Sequence, residues 1–269
     1  MRSRILYEDK DIIVCHKPAG IATQTARVGQ QDMVSEISAY LAAEEKKHPP
    51  AMGGKTPGRA PYVGVIHRLD QPVEGILVFA RNQAAAAGLS RQITEERMEK
   101  DYYALVCGQD IPARGELVNH LLKDGRTNLS KVVSAESKGA KEARLRFWTL
   151  QCQQMELEEG KTCSIALVRI RLQTGRHHQI RVQMAAAGYS LLGDRKYADE
   201  TAVHVSERMG IREIALCAGR LAFVHPATGE KKVFCVLPEG KGFSDFRQTI
   251  EEHFAYKIPE NKDNKNRVS

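Results

Sequence analysis

The chain lacks several patterns that would place it in a common functional class. Its six cysteines are scattered, mostly within apolar runs, and form no C-x-x-C pair of the kind that binds structural zinc. The sequence contains no H-E-x-x-H motif, no glycine-rich phosphate loop and no apolar run of about 18 residues, the length of a membrane span. We therefore expect reduced core cysteines, no metal site and no membrane segment.

Acidic residues are fewer than basic ones. The 269 residues include 40 Lys and Arg against 33 Asp and Glu, which gives a net charge of +7 and a pI near 9.1. This excess favours a polyanionic partner, either nucleic acid or an anionic membrane surface. The opening MRSRILYEDKDIIV reaches acidic residues too early for a secretory signal. We expect a monomeric cytoplasmic protein.

Patterns of helices and strands follow each other irregularly along the chain. Amphipathic spacing predicts helices over 34–41, 82–96 and 176–187, while short apolar segments predict strands over 5–21 (two strands), 75–80, 102–106, 164–172, 216–224 and 233–237. Few β-α-β units are present, so we predict an α+β fold with a large, mainly antiparallel mixed sheet and flanking helices. In strand 164–172 the alternation would place Arg169 and Arg171 on a basic outer face.

A single domain over residues 1–256 is the expected organisation. Residues 44–61 are rich in proline, glycine and basic residues, which predicts a flexible basic loop. Residues 110–146 carry turn signals and many basic residues, and the polar tail 257–269 is predicted to be disordered.

Three short stretches carry candidate functional residues, and each has an ordinary structural alternative. Asp70 follows His67 and Arg68, yet an aspartate just before a proline turn is commonly a turn former. Tyr102 and its neighbour point to opposite faces of a strand, where tyrosines are ordinary core residues. If Arg176 opens a helix, its free backbone N–H groups would attract anions, and His177 would share a helix face with the residue four positions on.

Together, these stretches resemble the RluA-type family of pseudouridine synthases, which isomerise uridine within folded RNA. The family's H-R-L-D run stands at residues 67–70, its K-x-Y-x-A-L-V strand resembles residues 100–106, and its G-R-T-H-Q-I-R-V-H run appears as GRHHQIRVQ at 175–183. The family's G-D-x-x-Y follows at 193–197, and the resemblance runs in order from about Ile5 to Pro238. Val73-Glu74 stand where the family has Thr-Ser, which would add a carboxylate close to the RNA.

The resemblance implies the pseudouridine synthase fold, with a central cleft for catalysis and RNA binding. It implies structured ribosomal or transfer RNA as the partner, and no cofactor, because isomerisation needs no redox step or external group. Asp70 would be the catalytic carboxylate, held ionised and oriented by Arg181, with Arg176 as the alternative partner. Tyr102 would stack against the target base, and Ile180 would form an apolar floor.

The same resemblance implies how RNA would be held. His67 and Arg68 would face the RNA, with the guanidinium of Arg68 filling the space left by a flipped-out base. Arg176 and Gln179 would add RNA contacts, and the basic residues of 110–146 would hold phosphates together with the outer strand face. No RNA-binding domain is expected at the N-terminus, because the opening motif of the catalytic domain begins near residue 5.

Two other functions compete with this interpretation. One is an RNA-binding protein of the same fold without activity, suggested by Glu74 in the altered turn. The other is an aspartate-dependent nucleosidase that hydrolyses the glycosidic bond. A zinc deaminase is disfavoured, because its H-x-E and P-C-x-x-C motifs are missing.

Overall fold

The computed structural model of the protein describes residues 3–26, 29–47 and 60–255. Within these ranges the strands join into one 12-stranded sheet. The strands are β1 (Arg4–Glu8), β2 (Ile12–Lys17), β3 (Gly64–Val65), β4 (Glu74–Ala80), β5 (Glu99–Gly108), β6 (Arg114–Asp124), β7 (Leu129–Val133), β8 (Lys141–Glu156), β9 (Thr162–Leu172), β10 (Ser190–Leu191), β11 (Leu216–Val224) and β12 (Lys231–Cys235). The α-helices are α1 (Met33–Lys47), α2 (Gln83–Thr94), α3 (Gln179–Ala186), α4 (Glu200–Arg208) and α5 (Arg247–Ala255), and 3-10 helices cover Glu158–Gly160 and Lys241–Phe246.

The sheet is mixed but mainly antiparallel, which confirms the predicted α+β class. Its strand order is β1-β2-β4-β11-β5-β9-β8-β6-β7, with β3, β10 and β12 pairing at β4, β5 and β11. The pairing of β4 with β11 is parallel. There Gly75 has a φ of +131°, and a Cβ on it would lie 2.5 Å from backbone atoms of Ala218. Only glycine therefore fits at this point of closest approach.

Helices cover both faces of the sheet centre. Apolar residues of α2, α4 and α5 pack on one face, and those of α1 and α3 pack on the other. Along β4, Ile76 and Val78 contact the first layer while Leu77 and Phe79 contact the second. The central strands are consequently apolar on both sides. No helix in the described part of the chain is long and apolar enough to cross a membrane.

The start of α3 differs from the prediction. The helix begins at Gln179, because His178 has left-handed backbone angles with φ 54° and ends the preceding loop. The backbone N–H of Arg176 donates to the side-chain oxygen of Gln179 at 2.9 Å, so it is not a free anion site. The predicted end is confirmed, since Gly188 follows the helix with a φ of +82°.

Other segments also depart from the predictions. Helix α1 continues to Lys47, so residues 44–47 are helical rather than part of a loop, while 48–59 and the tail 257–269 lie outside the described residues. The segment 110–146 forms β6, β7 and the start of β8. All six cysteines are free, but Cys152 is exposed rather than in the core.

The outer face predicted for β9 is not a basic surface. The Arg171 guanidinium donates to both carboxylate oxygens of Asp101 at 2.7 Å, and Arg169 is buried 3.4 Å from the same carboxylate. Arg169 also lies over the ring of Trp148, with its guanidinium carbon 4.7 Å from the ring centroid. Both arginines are therefore ion-paired with a carboxylate of the protein and do not form the open basic face that was predicted.

Candidate active site

A cleft of about 840 Å³ brings together the side chains predicted from separate motifs. Its lining comes from the loop between β3 and β4, from the start of β5, and from residues 172–181. The predicted residues on this lining are His67, Arg68, Asp70, Tyr102, Arg176, Gln179, Ile180 and Arg181. The fold therefore assembles one site from segments that are far apart in the sequence.

Asp70 and Arg181 form an ion pair in this cleft. Asp70 lies in the turn before β4, where its carbonyl oxygen accepts the backbone N–H of Val73 at 3.0 Å. Its side chain is 28% exposed, and Oδ2 lies 3.2 Å from Nη1 of Arg181. The alternative partner, Arg176, instead donates its Nε–H to the carbonyl oxygen of Glu142 at 2.7 Å. The carboxylate is thus held by one guanidinium and still faces solvent.

Asp194 fixes the orientation of that guanidinium. Its two carboxylate oxygens accept hydrogen bonds from Nε and Nη2 of Arg181 at 2.7 and 2.6 Å, and the two side chains are only 1% and 5% exposed. Oδ1 of Asp194 also accepts the backbone N–H of Lys196 at 2.9 Å. Sequence reasoning gave this residue no role, although the G-D-x-x-Y motif that contains it was visible.

His178 is a second residue beside Asp70 that the sequence analysis did not single out. Its Nε2 lies 3.4 Å from Oδ2 of Asp70, and its Nδ1 lies 2.7 Å from the hydroxyl oxygen of Tyr197. Burial lowers its pKa to about 4, although the charge of Asp70 opposes that shift. His177 does not share a helix face with Arg181 as predicted. It precedes the helix and stacks on His178, with ring centroids 3.8 Å apart.

Tyr102 and Ile180 give the cleft an apolar wall beside Asp70. Both side chains are buried in the same core layer, at the cleft lining. Burial raises the pKa of Tyr102 above its usual range, and the charge of Asp70 adds to that shift. At neutral pH the phenol is therefore protonated. The neighbouring Tyr103 points to the opposite face, as predicted, and its hydroxyl lies 2.9 Å from Nδ1 of His253.

Two residues predicted to bind RNA make hydrogen bonds within the protein. Nε2 of His67 accepts the backbone N–H of Val78 at 3.3 Å, and burial lowers the pKa of this histidine to about 3. Gln179 is buried and donates to the carbonyl oxygen of Arg144 at 3.0 Å. Both side chains also belong to the cleft lining, so these hydrogen bonds hold them in its wall, and contact with RNA stays a prediction for both. Arg68 is exposed at its edge.

Lys17 is a buried residue that contacts the turn containing Asp70. Its side chain has no exposed surface, and its Nζ donates to the carbonyl oxygens of Pro18, Ile21 and Gln71 at 3.0, 2.7 and 3.0 Å. Burial lowers the pKa of Lys17 to about 7, while the three acceptors match the three protons of an ammonium group. This ammonium ties β2 to the residue that follows Asp70. No role was predicted for it.

Glu74 does not face the cleft, which corrects the expectation that it adds a charge close to the RNA. It lies on the other face of the sheet, where its carboxylate accepts the backbone N–H groups of Glu239 and Gly240 at 3.1 and 3.0 Å. Its side chain lines a separate cavity of about 600 Å³. Burial raises the pKa of Glu74, and the two N–H groups act in the opposite direction.

Two side-chain clusters in the described ranges could hold a metal ion, and neither lines the cleft. They are Asp9, Asp11 and His225, and His16, Glu74 and Glu239. In the second cluster the carboxylates approach opposite ring nitrogens of His16, at 4.0 Å from Nε2 and 3.7 Å from Nδ1. A metal binds one of these nitrogens, so this arrangement fits a histidine between two carboxylates better than an ion.

Comparisons with known proteins point to one family. The sequence profile described as RNA pseudouridylate synthase matches residues 11–186. An uncharacterized RNA pseudouridine synthase of Aquifex aeolicus is 31% identical over 93% of this chain and 73% of its own length. The tRNA pseudouridine synthase C of Haemophilus ducreyi is 30% identical over 88% and 91%, and the dual-specificity RNA pseudouridine synthase RluA of Vibrio parahaemolyticus is 30% identical over 82% and 78%.

Solved structures agree on the fold. The structure of human RNA pseudouridylate synthase domain containing 4 superposes with a TM-score of 0.63, at 23% identity, covering 88% of this chain and 89% of that one. That of human RNA pseudouridylate synthase domain containing 1 gives a TM-score of 0.62 at 22% identity, covering 88% and 84%.

Proposed function

We infer that this chain, which belongs to the RNA pseudouridylate synthase family and to its RluA type, isomerises uridine to pseudouridine in ribosomal or transfer RNA. The resemblance drawn from the motifs is thereby confirmed. The observation that best supports an active enzyme, rather than an inactive relative, is the Asp70 carboxylate beside Arg181 in an open cleft.

The reaction defines what the cleft must do. The bond between N1 and C1′ breaks, the uracil turns, and a bond forms between C5 and C1′. The proton on C5 is lost and N1 gains one, so atoms and charge balance without any co-reactant. The protein has to activate the sugar, keep the detached base in place and exclude water.

Asp70 is the group we assign to the sugar. A carboxylate can attack C1′ as a nucleophile, or remove a sugar proton to start an elimination. Arg181 holds the carboxylate in place, since an N–H to carboxylate contact is a charge-assisted hydrogen bond. Arg181 donates to Oδ2, and Nε2 of His178 lies 3.4 Å from the same oxygen.

The walls of the cleft have the remaining tasks. Tyr102 would stack on the uracil, and its raised pKa argues against a role as a base at neutral pH. Ile180 would complete an apolar surface that keeps water from the separated base and sugar. A uridine in a helix must be extruded to reach them, at a cost of a few kcal/mol, and Arg68 would occupy the vacated stack.

Phosphates would be held outside the cleft by exposed basic residues of β6, β7 and β8. Arg144 and Arg146 are already paired with Glu142 and Glu116. The exposed lysines and arginines that remain in this region are Arg114, Lys123, Arg126, Lys131, Lys138 and Lys141. We also propose that the protein acts as a cytoplasmic monomer.

Release of tritium from C5-labelled uridine in RNA tests the activity. The unmodified protein is expected to release label, and Asp70→Ala is expected to release none. Asp245→Ala, which removes an exposed carboxylate far from the cleft lining, serves as the matched control and should behave as the unmodified protein. Turnover by Asp70→Ala would contradict the assignment.

Two further measurements separate the alternatives. Isomerisation leaves the mass of the RNA unchanged, whereas a nucleosidase removes the uracil. An inactive RNA-binding protein would bind RNA without releasing label. Chemical mapping of pseudouridine in total RNA, from cells with and without the gene, would show whether the target is ribosomal or transfer RNA.

A further inference from the structure

A short chain of polar groups ends at the carboxylate of Asp70. The backbone N–H of Ser130, in β7, donates to the hydroxyl oxygen of Tyr197 at 2.8 Å. That hydroxyl lies 2.7 Å from Nδ1 of His178, whose Nε2 in turn lies 3.4 Å from Oδ2 of Asp70. The chain therefore links an outer strand of the sheet to the reactive side of the cleft.

The partners of Tyr197 decide which ring nitrogen of His178 carries the proton. Because the Tyr197 oxygen already accepts the Ser130 N–H, its own proton is free to be donated to Nδ1 of the imidazole. Nδ1 is then the acceptor, and the ring proton lies on Nε2, facing Asp70. The opposite tautomer would turn an Nε2 lone pair towards a carboxylate, which is repulsive.

Other contacts keep the imidazole in this place. His178 is buried and its backbone adopts φ 54°, so the ring leaves the loop at a fixed angle. The ring of His177 stacks on it with an interplanar angle of 28°, and Nδ1 of His177 lies 2.9 Å from the Ser130 hydroxyl. Burial also lowers the pKa of His178 to about 4, which keeps the ring neutral at physiological pH.

We propose that His178 is a positioning residue for the isomerisation, holding Asp70 through an Nε2–H that Tyr197 fixes. This inference rests on the proposed function and adds to it. Arg181 and His178 both approach Oδ2, and no described residue donates to Oδ1. The two donors thus select the rotamer of Asp70 and leave Oδ1 as the oxygen that meets the sugar. Because the His178 ring is neutral, it does this without placing a second positive charge beside the guanidinium of Arg181.

The separation of 3.4 Å is longer than an ordinary hydrogen bond. Contacts of this kind commonly tighten when the substrate is bound. The effect should therefore appear in the chemical step and not in RNA affinity. A hydrogen bond to a charged group corresponds to a change of roughly 10- to 100-fold in rate.

A matched pair of variants tests the role. His178→Leu removes the donor, and His178→Gln retains an amide N–H at nearly the position of Nε2; both are unbranched at Cβ and suffer similar strain at a positive φ. In single-turnover assays we expect His178→Leu to be about 10- to 100-fold slower with an unchanged RNA Kd, and His178→Gln to recover most of the rate. Equal rates for the two variants would overturn the proposal.

A spectroscopic measurement needs no variant to be active. In 15N-histidine-labelled protein at pH 7, the signal of His178 should show a protonated Nε2 and an unprotonated Nδ1, and it should be missing from His178→Gln. A protonated Nδ1 in the unmodified protein would overturn the proposal. Lack of turnover by the unmodified protein would instead contradict the proposed function, so the two failures are distinguishable.

Discussion

Asp70 and Asp194 bind the same guanidinium, and the same substitution at each should have opposite consequences. Asp70→Asn removes the carboxylate that faces the cleft, while Asp194→Asn removes the one that holds Arg181 in place. Each replaces one carboxylate oxygen by an NH₂ group of nearly the same size, so neither opens a cavity. We expect Asp70→Asn to abolish turnover with little change in stability, and Asp194→Asn to destabilise the fold.

The expected loss of stability in each variant follows from how deeply the ion pair is buried. Arg181 and Asp194 are 5% and 1% exposed and share two short hydrogen bonds, and removal of one member of such a buried pair costs about 3–5 kcal/mol. For a chain of this size that is a fall in Tm of roughly 6–20 °C. Asp70 is 28% exposed and has only two longer contacts, 3.2 Å to Arg181 and 3.4 Å to His178, so its loss should cost about 1 kcal/mol or less.

Thermal melting monitored by circular dichroism measures the stability of both variants, and tritium release measures their turnover. At temperatures where it remains folded, Asp194→Asn should retain turnover reduced by about 100-fold, because a misplacement of about 1 Å has that effect on rate. The reasoning is refuted if both variants melt alike, or if Asp70→Asn turns over while Asp194→Asn does not.

Three further outcomes are expected. In salt titrations of RNA binding, Lys131→Gln, at an exposed lysine proposed to hold a phosphate, should lower the slope of log K against log salt by about one, whereas Arg171→Gln, at an arginine already ion-paired with Asp101, should leave it unchanged. Ile180→Ala should cost about 2–4 kcal/mol in urea unfolding and raise the fraction of RNA that has lost a base, measured by mass, whereas an unchanged product ratio would argue against the apolar floor. Because burial lowers the pKa of His67 from 6.5 to about 3, the unfolded chain binds this proton first, and the free energy of unfolding should fall as the pH drops below about 6.5. His67→Gln, which keeps an acceptor for the Val78 N–H, should make that fall shallower between pH 7 and pH 5, and an unchanged slope would contradict a neutral buried His67.

The motifs identified residues at which the proposed reaction requires a particular kind of side chain. Asp70, Arg181 and Ile180 lie together in the cleft because each motif supplies one part of it. The apolar periods of β4, β5 and β9 were also sufficient to predict those strands. The class of fold followed from their irregular order.

What could not be predicted depends on contacts between distant segments. In β8 the buried Ala143, Leu145 and Phe147 alternate with exposed residues, but the many polar and basic residues of β6 to β8 were interpreted as turn signals. The start of α3 depends on the left-handed backbone of His178, which no periodic pattern indicates. The basic face of β9 was mispredicted because Asp101, 68 residues earlier than Arg169, forms ion pairs with its arginines.

The buried ammonium of Lys17 has a consequence for how this enzyme can be cut or rearranged. A fragment that began after residue 60 would retain Asp70, Tyr102 and Arg181. It would lose Lys17, which donates to the Gln71 carbonyl oxygen, and it would lose β2, which pairs with β4. A circular permutant with new termini between β2 and β3 should keep the Lys17–Gln71 hydrogen bond, because its original ends are joined and β2 stays in the same chain. The first strands thus supply, through Lys17, a hydrogen bond that supports the loop carrying Asp70.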